Sequence, residues 1–106
     1  MSLSTHVLDA VSGAPAVGVA VTLTDRDGEP LTTATTDDDG RIAQLAADLP
    51  AGTYRLHFDT GAYFAAQGVA TFYPEVIVAF DVTDAGGKYH VPVLLSPFAY
   101  STYRGS

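Results

Sequence analysis

The chain has no cysteine, a single methionine and only five basic residues against twelve acidic ones. Without cysteine, disulfides, thiolate metal sites and cysteine nucleophiles are excluded whatever the compartment. A formal net charge of −7 argues against a nucleic-acid binder, because nothing would replace the counterions around a phosphate backbone. An anionic ligand would have to be met locally, by one or more of Arg26, Arg41, Arg55, Lys88 and Arg104. No run approaches the ~20 apolar residues of a membrane span. The opening Met1-Ser2-Leu3-Ser4-Thr5-His6 shows neither the basic start nor the apolar stretch of a secretory signal, so a cytoplasmic location is expected.

What is present is apolar and aromatic. Of 106 residues, 47% are hydrophobic, with six tyrosines and five phenylalanines. That suffices for one packed domain over residues 1–106, without metal or disulfide, and for a surface able to meet other subunits. No repeat, linker or low-complexity stretch divides it.

Short runs with period-two alternation, separated by Gly, Asp and Pro clusters, predict an all-β sandwich of seven or eight strands. The first runs over Leu3 to Ala10 and is closed by Ser12-Gly13-Ala14-Pro15. The second is Val17 to Thr24, with Val17, Val19, Val21 and Leu23 on one face. After an Asp27-Gly28 turn comes Leu31 to Thr36, and the tight turn Asp37-Asp38-Asp39-Gly40 then delivers Arg41 onto a short fourth strand. Gly52 to Phe58 is the fifth. One short helix is predicted from Gly61 to Gln67, capped by Asp59 or Thr60 and stopped by Gly68. Glu75 to Val82 reads as a strand apolar on both sides, and Lys88 to Leu95 and Phe98 to Arg104 complete the set.

The histidines are His6, His57 and His90. Alternation puts His6 on a face with Ser4 and Leu8, and His90 on a face with Pro92 and Leu94, opposite the apolar Val91, Val93 and Leu95. His90 therefore points away from the core. Alternation alone does not pair the two histidines. His57 shares a strand face with Arg55 and Thr53, a poor neighbourhood for a cation, and none of the three has metal-ligand spacing, so no metal site is expected. Asp37-Asp38-Asp39-Gly40 alternates carboxylates as a calcium loop does, but no bidentate glutamate follows at the required spacing, and the reading is an Asx turn. Pro92 inside a strand marks either an edge or an irregularity beside a reacting group. There is no Gly-x-Ser-x-Gly elbow and no phosphate-cradling glycine loop.

Five segments together resemble the transthyretin-related 5-hydroxyisourate hydrolase family. They are Leu3-Ser4-Thr5-His6-Val7-Leu8-Asp9, Asp39-Gly40-Arg41, Phe58-Asp59-Thr60-Gly61-Ala62-Tyr63-Phe64, Tyr89-His90-Val91-Pro92-Val93-Leu94-Leu95-Ser96-Pro97, and the terminal Tyr100-Ser101-Thr102-Tyr103-Arg104-Gly105-Ser106. The resemblance implies a transthyretin-like two-sheet sandwich with one short helix. It also implies a homotetramer whose sites lie in a central channel between dimers, and hydrolysis of 5-hydroxyisourate without a cofactor. By the same resemblance His6, Arg41, His90 and Ser106 are the catalytic group, and His6, Arg41, Tyr103 and Arg104 hold the small-molecule substrate. Two other readings are a transthyretin-like carrier, which would dispense with the histidines and the tail, and a structural sandwich module, for which the first half of the chain would serve equally well.

Overall fold

A computed structural model describes all residues, 1–106. The elements are β1 (Ser2–Asp9), β2 (Ala14–Pro15), β3 (Ala20–Thr24), β4 (Pro30–Thr35), β5 (Arg41–Ala46), β6 (Gly52–Phe58), α1 (Thr60–Ala65), β7 (Val76–Val82), β8 (Lys88–Ser96) and β9 (Ala99–Thr102). They form two sheets. One has the order β2-β1-β8-β9, with β5 also paired to β1; the other has the order β4-β3-β6-β7. β1 and β8 run parallel and the remaining pairs are antiparallel.

Alternation does what the sequence predicts where it is cleanest. Along β1 the residues Leu3, Thr5, Val7 and Asp9 are buried while Ser4, His6 and Leu8 are half-buried on the other side. In β8, Tyr89, Val91, Val93 and Leu95 enter the core and His90 faces outward. Facing residues from the second sheet, among them Val21, Leu23, Leu56 and Phe58, are fully buried against them. At about 1.5–3 kcal/mol per buried large side chain, this layer rather than any single contact fixes the frame on which His6 and His90 stand.

Several boundaries differ from the sequence reading. Val17 does not join Val19, Val21 and Leu23 inside but is 47% exposed, because Gly18 at φ +81° breaks the alternation and β3 begins only at Ala20. Ala14–Pro15, read as part of a turn, pairs briefly with Leu8 and Asp9 as β2. The outer side of β7 is apolar but not covered, with Ile77 50% exposed. The helix starts one residue early and ends two early; it is held by the Asp59 side chain accepting from the Ala62 amide and by buried Phe64, since so short a helix cannot sustain itself.

Pro92 lies on no free edge. On one side it is opposite His6 of β1. On the other, the β8–β9 ladder runs from Ser96↔Ala99 to Val93↔Thr102, then lapses, and resumes as one bridge at His90↔Gly105. The missing amide of Pro92 falls in that lapse, where its carbonyl accepts from the Thr102 hydroxyl at 2.8 Å. Of the two readings of Pro92, the irregularity is the one found.

Candidate active site

Register builds the site. Arg41, the first residue of β5, is directly opposite His6 on β1; on the other flank of β1, Ser4 is opposite His90 of β8. Residues facing each other across a ladder project to one side of the sheet, so two histidines and one arginine far apart in sequence share the outward face. Arg41, His90, Ser4 and the terminal Ser106 border a hollow of about 280 Å³, and Ser4, His90 and Ser106 also border a second hollow of about 300 Å³. His6 lies beside this hollow, close enough for its charge to bear on His90.

The turn before Arg41 is an Asx turn, as read from the sequence. Asp37 Oδ1 accepts from the amides of Asp39 (2.9 Å) and Arg41 (3.0 Å), and these bonds hold the carboxyl below the usual carboxylate range. Gly40, at φ +73°, allows the close approach by which its carbonyl accepts from the Val7 amide at 2.7 Å. The turn then presents the Asp39 carbonyl to His6 Nε2 at 3.0 Å. A carbonyl can only accept, so Nε2 carries the hydrogen.

His90 Nδ1 lies 2.7 Å from Ser4 Oγ. Burial pushes the His90 pKa below 6.5, the positive charges of Arg41 and His6 push it the same way, and the Ser4 backbone opposes them. At neutral pH the ring is therefore a neutral imidazole beside a cation. The Arg41 guanidinium has no carboxylate partner: the chain's one ion pair joins His57 to Glu75 at 3.4 Å on the other sheet, which also leaves His57 outside the site.

The tail divides. Continuing the Val93↔Thr102 register to His90↔Gly105 puts Tyr103 on the His90 side of the sheet and Arg104 on the opposite side. Tyr103 is 59% exposed there. Arg104 rests its guanidinium over the Tyr89 ring, 5.1 Å from the centroid, and lines a hollow that His90 and Tyr103 also border, together with Val78, Phe80 and Asp81. Alternate residues of an extended tail must face opposite ways. Two participants went unnoticed in the sequence: the Asp39 carbonyl, which has no side-chain signature, and Ser4, whose shared face with His6 was visible but whose contact with His90 depends on strand order.

Two packed sheets with one short helix, and with two histidines and an arginine on the outward face of one sheet, define a β-sandwich of the transthyretin-like fold. The chain belongs to the HIUase/Transthyretin family, whose model matches residues 3–105. It is 47% identical to the 5-hydroxyisourate hydrolase of Salmonella dublin over 109 residues, covering 98% of this chain and 80% of that one. The structure of Klebsiella pneumoniae 5-hydroxyisourate hydrolase superposes with a TM-score of 0.93 at 43% identity over 100% of both chains. Transthyretin from Sparus aurata superposes with a TM-score of 0.91 at 40% identity over 97% of this chain and 95% of that one.

Proposed function

We infer that the protein is a hydrolase that opens the ring amide of 5-hydroxyisourate to give 2-oxo-4-hydroxy-4-carboxy-5-ureidoimidazoline, a step of urate degradation, with no cofactor. The observation that carries this reading is His90 at one hollow with an unpaired Arg41, and His6 opposite that arginine across the ladder. Amide hydrolysis needs an acceptor for the proton of water, positive charge for the developing oxyanion, and a donor for the leaving nitrogen. Histidines near neutral pH serve the first and last, and a guanidinium with no carboxylate of its own serves the second. Ser106 borders the hollow of Arg41 and His90 and contacts the substrate; Tyr103 and Arg104, which border a neighbouring hollow shared with His90, close the site from that side.

The carrier reading draws on the likeness to transthyretin. A carrier has no use for His6, Arg41 and His90 gathered on one face beside the terminal Ser106, and this separates the two. The deciding experiment generates 5-hydroxyisourate with urate oxidase and follows the loss of its ultraviolet absorbance with and without the purified protein. Decay no faster than the spontaneous rate would sink the hydrolase reading.

The assembly belongs to the same proposal: a homotetramer with the sites between dimers. β9 ends one sheet and β7 ends the other, and the hollow holding Arg104 is bordered by both, so two unpaired edges lie side by side. Phe98 (69% exposed) and Phe72 (71% exposed), with Tyr73 and Tyr100 stacked edge to face near them, leave an aromatic surface too apolar for solvent alone. Sedimentation velocity at micromolar concentration should report a species four times the mass of the chain.

A further inference from the structure

The two histidines are held by different kinds of partner. His6 Nε2 meets a peptide carbonyl, which admits one tautomer and leaves Nδ1 as its free nitrogen. His90 Nδ1 meets the Ser4 hydroxyl, which can accept or donate and so supports the ring with its lone pair on Nε2, with its hydrogen on Nε2, or protonated on both. Only His90 can change tautomer without losing its partner; His6 keeps its carbonyl as the Nε2–H tautomer or as the imidazolium. Ser4 sits directly across the parallel ladder from His90, half-buried, with its Oγ used in no other bond of the chain.

The geometry points to Ser4 as a positioning residue that fixes the His90 ring and makes Nε2 the nitrogen offered to the reaction. Ser4 acts through His90. The inference rests on the hydrolase reading for its consequence but not for its geometry. When water attacks, Nε2 takes the proton while Nδ1–H donates to Ser4 Oγ. When the proton goes to the leaving nitrogen, the ring returns to neutral with the same hydroxyl beside it. No proton is stored on Ser4, and the sum over the step is water added across the amide.

The test compares Ser4→Thr with Ser4→Val in the intact protein; the two replacements have nearly the same shape and only threonine keeps a hydroxyl. Two quantities are read: kcat and KM for 5-hydroxyisourate, and the ¹⁵N shifts and titration of the His90 ring by NMR. Other charged groups near the ring, namely Arg41, His6, Lys88, Asp81 and Arg104, are the same in both variants. The threonine variant should hold kcat within about threefold and keep the native ring shifts, whereas valine should lower kcat by ~10-fold or more with KM little changed. In the valine variant the His90 Nδ1 shift should also move away from its native value, because the hydroxyl beside that nitrogen is gone. Equal ring spectra for the two variants would overturn the inference even if the enzyme is active, and so would equal kcat values. If the spectra separate but no variant hydrolyses 5-hydroxyisourate, the clamp stands and the hydrolase reading falls.

Discussion

The Gly105 amide donates to the His90 carbonyl at 2.9 Å, and the place a Cβ would occupy on Gly105 is taken by the His90 ring. The strand that bears a titrating side chain is thus stitched to the tail at that residue, and the glycine is demanded by a neighbour's ring rather than by its own backbone angles. Gly105→Ala should therefore displace the imidazole, whose alternatives are limited by Ser4 on its far side. A drop in kcat of ~100-fold or more is expected, with circular dichroism and thermal midpoint near native, since the tail lies outside the core. A fully active Gly105→Ala protein would show that the ring has room to give.

His90 provides the pH dependence. Its pKa lies below 6.5, because burial first and then Arg41 and His6 disfavour the imidazolium. As a base it is competent when neutral, so kcat/KM should hold through neutrality and fall on the acid side only as pH passes below 6.5 through that lowered value. Stability follows the same sign. The unfolded chain binds the proton more readily than the folded one, so the folded state loses ground as pH falls through the unfolded value and down to the folded one. An NMR titration of the histidine ring protons should show His90 titrating below 6.5, and His90→Asn should remove its share of the acid limb.

Arg41 is exposed and carries no salt bridge, so its removal costs the fold little. Arg41→Ala should raise KM and lower kcat together, because one guanidinium both holds the substrate and meets the oxyanion; a combined loss in kcat/KM of ~10³-fold is in range. Arg41→Lys should recover only a small part, since an ammonium lacks the planar fork. Melting curves superimposable with the native protein would confine the effect to the site.

How much of this was legible beforehand depends on the kind of information involved. Alternation is local, so the outward face of His90 and the buried run Val91, Val93 and Leu95 follow from the sequence itself, as does the Asx turn before Arg41. Strand order is not local. That β1 lies between β5 and β8, so that His6 meets Arg41 and Ser4 meets His90, follows from pairing across more than thirty residues and, for Ser4 and His90, across 86. The resemblance to a family supplied the grouping that alternation could not. Neither source indicated that Arg104 would turn onto Tyr89, because that depends on the tail holding its register past the gap at Pro92.

Asp37 tests the turn. Its carboxylate organises the amides of Asp39 and Arg41, and through the Asp39 carbonyl it also steers His6. Acceptor geometry is what matters, not charge: Asn presents the same oxygen and Ala does not. Asp37→Asn should keep most of kcat/KM, while Asp37→Ala should lower it by ~10-fold and blur the His6 ring signals in NMR. Loss of activity in both variants alike would mean that the negative charge itself is needed.

The tail offers the sharpest separation of stability from function. Beyond β9, residues 103–106 contribute one backbone hydrogen bond, from Gly105 to His90, and the contact of Arg104 with Tyr89. Such an exposed cation–π contact is worth about 0.5–1 kcal/mol, and one hydrogen bond about 0.5–1.5 kcal/mol net, little against a core of 19 buried residues. Removing Tyr103 to Ser106 should therefore lower the thermal midpoint by only ~5–15 °C. It should nevertheless uncover the His90 ring, strip Ser106 from the two hollows it borders, and reduce turnover to near the spontaneous rate. A truncated protein that melts cooperatively and still hydrolyses 5-hydroxyisourate at the native rate would take the tail out of the site and leave His6, Arg41 and His90 to act alone.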